Sequence, residues 1–232
     1  MINEDEYPHE NFKKGKRREV ILFLTVAIIS LAFPTAFLCS ESCSFSIVAL
    51  VTILRNLGLS TLVFWLLEAR KEPFSRIGWT SENLKKQILW GIILFPLFYF
   101  SVGLVLNFFT RIGFSHIEEV PPSLMPQSMQ QIFLGVLMVL TVAFSEEIIF
   151  RGYLLTRIRE ITESDAAGIF LSTLLFAFGH GYEGVAGMVT VGYIGLVFSI
   201  LILWQKSLAI VIVLHFFTDF IPIVVVPIME RL

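Results

Sequence analysis

Ser145-Glu146-Glu147-Ile148-Ile149-Phe150-Arg151-Gly152-Tyr153 sets two adjacent carboxylates and a guanidinium at the end of a run that is apolar from Ile132 onward. A charged side chain at the centre of a bilayer costs roughly 2.5–3.5 kcal/mol on insertion scales, so such groups face the protein interior and mark function. Two further apolar segments each carry a histidine, His180 and His215. Helical residues four apart share a face. That spacing pairs Glu147 with Arg151, Phe176 with His180, and His215 with Asp219. Glu146 lies one helical step of about 100° from Glu147 and is expected to point elsewhere, without the arginine.

Outward from this stretch, the 232-residue chain is 56% hydrophobic and 16% charged, with a mean hydropathy of +0.79. This is the composition of a polytopic membrane protein rather than a soluble domain. A formal charge of -2, with no zinc-ribbon, P-loop or dinucleotide fingerprint, gives no reason to expect nucleic acid. Cys39 and Cys43, four apart, would need local distortion to bridge.

The expected fold is all-α, a transmembrane helical bundle of about seven spans, with six to eight as the range. Residues 1–18 form a polar tail ending in Lys13, Lys14, Lys16, Arg17 and Arg18. The remainder, 19–232, reads as a single transmembrane domain. Apolar runs place spans at 20–38, kinked by Pro34; 45–67, holding Arg55 and Asn56; and 88–109, with Thr80 or Ser81 suited to cap its start. A proline cluster at 121, 122 and 126 precedes a fourth span from Ile132 to about Arg157. A short fifth span covers 166–179. Glycines at 179, 181, 184 and 187 lead into a sixth, which ends near Trp204, and a seventh covers 207–229. Gly184 and Gly187 are expected to let helices approach closely, and Arg55 and Asn56 to make a polar contact between helices.

Thirteen of the 17 basic residues fall in the tail, 68–87, 157–165 and Lys206, whereas the alternate segments hold only Arg111 and Arg231. The positive-inside rule then predicts a cytoplasmic N-terminus.

No H-E-x-x-H pattern supplies a self-contained zinc site. A bundle can bring side chains from separate helices together in its core, which makes Glu146, His180 and His215 a candidate set. Two chemistries fit it. Glu146 can act as general base on a water held by the histidines, or the three can hold a zinc ion with one open position.

The succession E-E-x-x-x-R (Glu146, Glu147, Arg151), F-x-x-x-H (Phe176, His180) and H-x-x-x-D (His215, Asp219) resembles the CAAX-protease and bacteriocin-processing family, also called CPBP or Abi. The three motifs stand in family order within a core at about 131–222. The resemblance implies an intramembrane endopeptidase, a metalloprotease or a glutamate protease, acting on membrane-anchored protein or peptide substrates. The compact chain with short loops reads as a multi-pass protein of a prokaryotic plasma membrane. In the family scheme Glu146 activates water with help from His180, while His215 and Asp219 stabilise the oxyanion. Glu147 belongs to the catalytic set, and Arg151 and Phe176 support it. The family commonly has asparagine where Asp219 stands, and an ionised aspartate only accepts hydrogen bonds.

Blander readings stand beside these. Glu147 with Arg151 is also a neutralised ion pair that fixes packing, and Phe176 a ring packed on a histidine. His9 and His116, in polar or loop sequence, suggest no role. Two rival functions also fit: a non-proteolytic immunity or regulatory scaffold of the same fold, and a small transporter using Glu146 and the histidines as a proton relay. Degenerate scaffolds should lose motif residues, and none is lost here. No inverted repeat favours the transporter.

Overall fold

The protein is described by a computed structural model for residues 9–37, 44–115 and 125–231. The cysteine pair, His116, Pro121 and Pro122 lie outside the described residues, as do the side chains of His9 and Pro34. Among the described residues, seven helices follow the order of the apolar runs: α1 (His9–Phe37), α2 (Phe45–Ala69), α3 (Leu84–Arg111), α4 (Met129–Thr162), α5 (Asp165–Gly179), α6 (Gly184–Gln205) and α7 (Ala209–Met229). Five of them, α2, α3, α4, α6 and α7, are long and apolar enough to cross a membrane. The 15-residue α5 is apolar but shorter. The protein is therefore a multi-pass helical membrane protein.

Side chains set where these helices begin. Ser128 accepts a hydrogen bond from the Gln131 amide at the start of α4, and Ser164 accepts one from Ala167 at the start of α5. Each satisfies one of the amides a helix leaves open. At α3 the expectation needs correcting. The cap position is Asn83, in a left-handed conformation, and Thr80 instead accepts from the Glu82 amide in the preceding turn. The basic segment 9–18 forms the first turns of α1.

Helix α4 is the central pole. Half of its most apolar window is buried, against 17% for α3. Ile148, Tyr153, Leu154 and Leu155 from α4 pack with Phe23 of α1, Val63 and Leu67 of α2, Phe198 of α6 and Leu214 of α7. Ion pairs then tie one end of the bundle. The Arg157 guanidinium, buried at the end of α4, reaches Glu19 of α1 at 3.1 Å and Glu72, beyond α2, at 2.7 Å. Tyr153 donates to Glu19 at 2.8 Å, and Arg70 pairs with the same carboxylate. Lys16 meets Glu160 at 2.7 Å, and burial pulls its ammonium below the usual lysine range while Glu160 pulls it back up. Nearby, Leu208 donates its amide to the Gly78 carbonyl at 3.0 Å. All four basic segments therefore meet at one end of the bundle. Arg231 donates to the Pro126 carbonyl, and the Ala186 amide to Ser115 at 2.8 Å, at the opposite end.

Candidate active site

The two acidic residues sit where α4 changes its winding. Glu147 to Leu154 form a π-helical segment, flanked by regular helix on both sides. Such wide turns inside α-helices concentrate at functional sites, and regular 3.6-residue spacing does not foresee this one. A second π segment, Ile221–Val225, follows Asp219 on α7. Pro222 lies within it and has no amide to complete a regular ladder.

The imidazole of His215 joins the two acidic residues. Its Nδ1 donates to Glu147 Oε1 at 2.6 Å across the α4–α7 interface. Its Nε2 faces Glu146 Oε2 at 3.9 Å and Asp219 Oδ2 at 3.4 Å. The adjacent glutamates therefore converge on opposite nitrogens of one ring. This corrects the expectation that Glu146 points away from the Glu147 partnership.

Depth sorts the cluster into two layers. The side chains of Glu147 and Arg151 are 0% and 1% exposed, and His215 is 7% exposed. Glu146 and Asp219 are more open, at 15% and 29%. Glu146 and Asp219 thus form the more open layer, while Glu147 and Arg151 lie behind the histidine.

Arg151 is held as much by aromatic rings as by its carboxylate. Nη1 lies 3.3 Å from Glu147 Oε1, yet neither Nη1 nor Nη2 completes a hydrogen bond among the described residues. Its guanidinium carbon instead rests 3.9 Å from the centroid of Phe176 and 5.4 Å from that of Phe198. Desolvated cation–π contacts of this kind are worth about 2 kcal/mol or more. Phe176 also packs against the rings of His180 and His215, with centroids at 4.7 and 6.2 Å. The phenylalanine of the second motif is thus the floor on which the arginine of the first and both histidines rest. Gly195 of α6 makes room for this stack, since a Cβ there would meet Phe176 Cδ1 at 3.2 Å and Arg151 Nη2 at 3.3 Å.

His180 terminates α5. Its Nδ1 donates to the Phe176 carbonyl, one turn back, at 2.9 Å. That bond places a proton on Nδ1 and directs Nε2 away from the Phe176 carbonyl. The next residues form a short 3-10 turn, Gly181–Glu183, which Gly184 closes with a φ of 78° that favours glycine. Tyr182 and Glu183 in this turn lie within charge-interaction range of Glu146 and Asp219, and Glu183 also of His180. The turn therefore faces the α4–α7 cluster. The expected role of two glycines also needs correcting. Gly184 serves the turn, and a Cβ at Gly187 would strike Glu183 Cβ at 2.5 Å within the same chain segment rather than a neighbouring helix.

Every residue singled out from the motifs thus lies around one α4–α5–α7 junction. Sequence reading missed Tyr182, Glu183 and Gly195, which no motif or periodicity distinguishes from other turn and span residues. It also treated Arg55 and Asn56 alike, and here they separate. Asn56 is buried and donates to the Thr52 carbonyl of its own helix at 2.9 Å, whereas Arg55 is half-exposed and lies within charge-interaction range of Glu146 and Tyr182.

As placed, these residues do not fit a zinc ion. No three His, Cys, Asp or Glu side chains among the described residues are gathered closely enough to hold one.

No curated protein and no solved structure matches the chain. Residues 128–221 match the family model for Type II CAAX prenyl endopeptidase Rce1-like. The matched segment runs from the cap of α4 past Asp219 and contains all three motifs, together with the π segment that carries the glutamates. This match supports assigning the 128–221 domain to the CAAX-protease and bacteriocin-processing family.

Proposed function

We propose that the protein is an intramembrane endopeptidase that hydrolyses peptide bonds of membrane-associated protein or peptide substrates, with Glu146 as the general base. The observation that carries this reading is the partly exposed Glu146 carboxylate, whose Oε2 faces Nε2 of a histidine whose other nitrogen is fixed by buried Glu147. A base and a donor so placed serve the two sides of one addition reaction. Glu146 takes a proton from water as the oxygen attacks the scissile carbonyl carbon. His180 Nε2 accepts from the same water and holds it in place. A protonated His215 Nε2 donates to the oxygen that becomes the oxyanion. As the tetrahedral intermediate collapses, the C–N bond breaks and Glu146 returns its proton to the leaving amine.

Asp219 has a different task in this scheme from the one the family resemblance implies. Its Oδ2, 3.4 Å from His215 Nε2, is an acceptor beside the donor and orients it rather than donating to the oxyanion. Glu147 and Arg151 act as positioning residues, because neither is open to substrate. No step runs through a metal.

A cleavage assay on protein reconstituted in vesicles, run beside proton-coupled uptake, separates this reading from its rivals. Peptide hydrolysis that depends on Glu146 supports the peptidase. Uptake without hydrolysis would identify a transporter, and neither activity would leave the scaffold.

A further inference from the structure

The first turns of α1 present two different faces. The inner face is locked onto the end of α4: Lys16 meets Glu160 at 2.7 Å, Glu19 meets Arg157 at 3.1 Å, and the Phe23 ring packs on Tyr153 with centroids 4.9 Å apart. The outer face carries Lys14, Arg17 and Arg18, which spacings of three and four residues gather into one patch. All three are exposed, and among the described residues none of them makes an ion pair, whereas Lys13, at the edge of the inner face, is taken up by Glu163 at 2.8 Å. Directly beyond Arg18 the same outer face turns apolar. Ile21, Leu22, Ile28 and Ile29 are each more than half exposed. From Arg18 to Ile29 the helix rises about 16 Å, close to one leaflet of a hydrocarbon core about 30 Å thick.

Three unpaired cations at the head of an apolar strip one leaflet long match one kind of occupant, a lipid with an anionic headgroup. A free phosphate would use the cations and leave the strip, and a zwitterionic lipid would use the strip and leave the cations with a net charge to neutralise. Guanidinium groups bind phosphate oxygens through parallel hydrogen bonds, and each basic residue beside a membrane surface strengthens the hold on anionic lipid. We infer that the outer face of α1 is a binding site for an anionic phospholipid, with Lys14, Arg17 and Arg18 on the headgroup phosphate and the face from Ile21 to Ile29 along an acyl chain. The site lies apart from the Glu146 cluster and does not depend on the peptidase reading.

Native mass spectrometry of the full chain in detergent tests this, after incubation with equal amounts of phosphatidylglycerol and phosphatidylcholine of matched acyl chains. The protein is expected to retain one phosphatidylglycerol with a preference of at least about tenfold over phosphatidylcholine. Lys14→Gln combined with Arg17→Gln and Arg18→Gln should remove that preference. Lys71→Gln combined with Lys85→Gln and Lys86→Gln, three exposed cations at the same end of the bundle, should leave it intact. If the triple α1 variant does not fold, Arg17→Gln and Arg18→Gln made singly should each lower the preference about threefold or more. Inorganic phosphate at millimolar concentration should not displace the lipid. Equal retention of the two lipids, an unselective annulus only, overturns the inference. So does a preference that survives loss of the α1 charges, or an equal loss in the lysine variant. Displacement by inorganic phosphate overturns it too, since the cations would then form a site for a free anion.

Discussion

Glu147 and His215, 68 residues apart in the chain, are joined by a 2.6 Å hydrogen bond that is closed to solvent on the glutamate side. This bond locks the first motif to the third. It fixes which nitrogen of the histidine faces Glu146, and so makes Glu147 a positioning residue. Glu147→Gln keeps the size but weakens the hold on the Nδ1 proton. The expected result is a fall in kcat on the order of 10²–10⁴-fold, as for the buried aspartate that orients a catalytic histidine in serine proteases. KM should change little. Unchanged kcat would remove Glu147 from the mechanism.

Arg151 is predicted to matter first for folding. Removing one partner of a buried pair typically costs about 3–5 kcal/mol, and Arg151→Ala also empties the space above Phe176. Melting in detergent should fall well below that of the native protein. Arg151→Lys should rescue it poorly, because an ammonium cannot lie flat on the ring. Native stability with selective loss of turnover would instead make Arg151 part of the catalytic group.

Asp219 is predicted to tolerate the family's usual residue. Asp219→Asn retains an oxygen acceptor beside His215 Nε2 and should keep most of the cleavage rate, whereas Asp219→Ala should lose it. If both variants cleave like the native enzyme, the 3.4 Å contact plays no part in the reaction.

Much of this was legible in the chain because charge in an apolar run is costly and therefore conspicuous. Glu146, Glu147, Arg151, His180, His215 and Asp219 stand out on that ground, and the positions of the helices follow from the apolar runs. The i,i+4 spacing correctly paired Glu147 with Arg151 at 3.3 Å. What spacing within one helix cannot show is which residues meet across helices. The Glu147–His215 bond was hidden for that reason, as was the network that ties Arg157 to Glu19 and Glu72. The π segment escaped because Ile148, Ile149 and Phe150 read equally well in a regular helix.

Topology gives an independent check. The basic segments gather at one end of the bundle, as the Arg157 and Lys16 contacts require. A single cysteine placed after Lys86 in the intact cell should resist an impermeant thiol reagent applied from outside, while one beside Arg111 should react. The reverse pattern would invert the orientation predicted from the basic residues.

The metal question is answered by chelation. Protein stripped with a strong chelator and shown by elemental analysis to be free of zinc is expected to keep its hydrolytic rate. Loss of activity on stripping, restored by one equivalent of zinc, would establish a metalloprotease whose ligands rearrange from the positions described.

Glu146→Gln in reconstituted vesicles tests the central claim most directly. The substitution preserves shape and most polarity but removes the ability to take a proton from water. The variant should melt like the native protein and still bind peptide, while hydrolysis falls to the uncatalysed background. Hydrolysis at the native rate by a folded Glu146→Gln protein would contradict the assignment of Glu146 as the base.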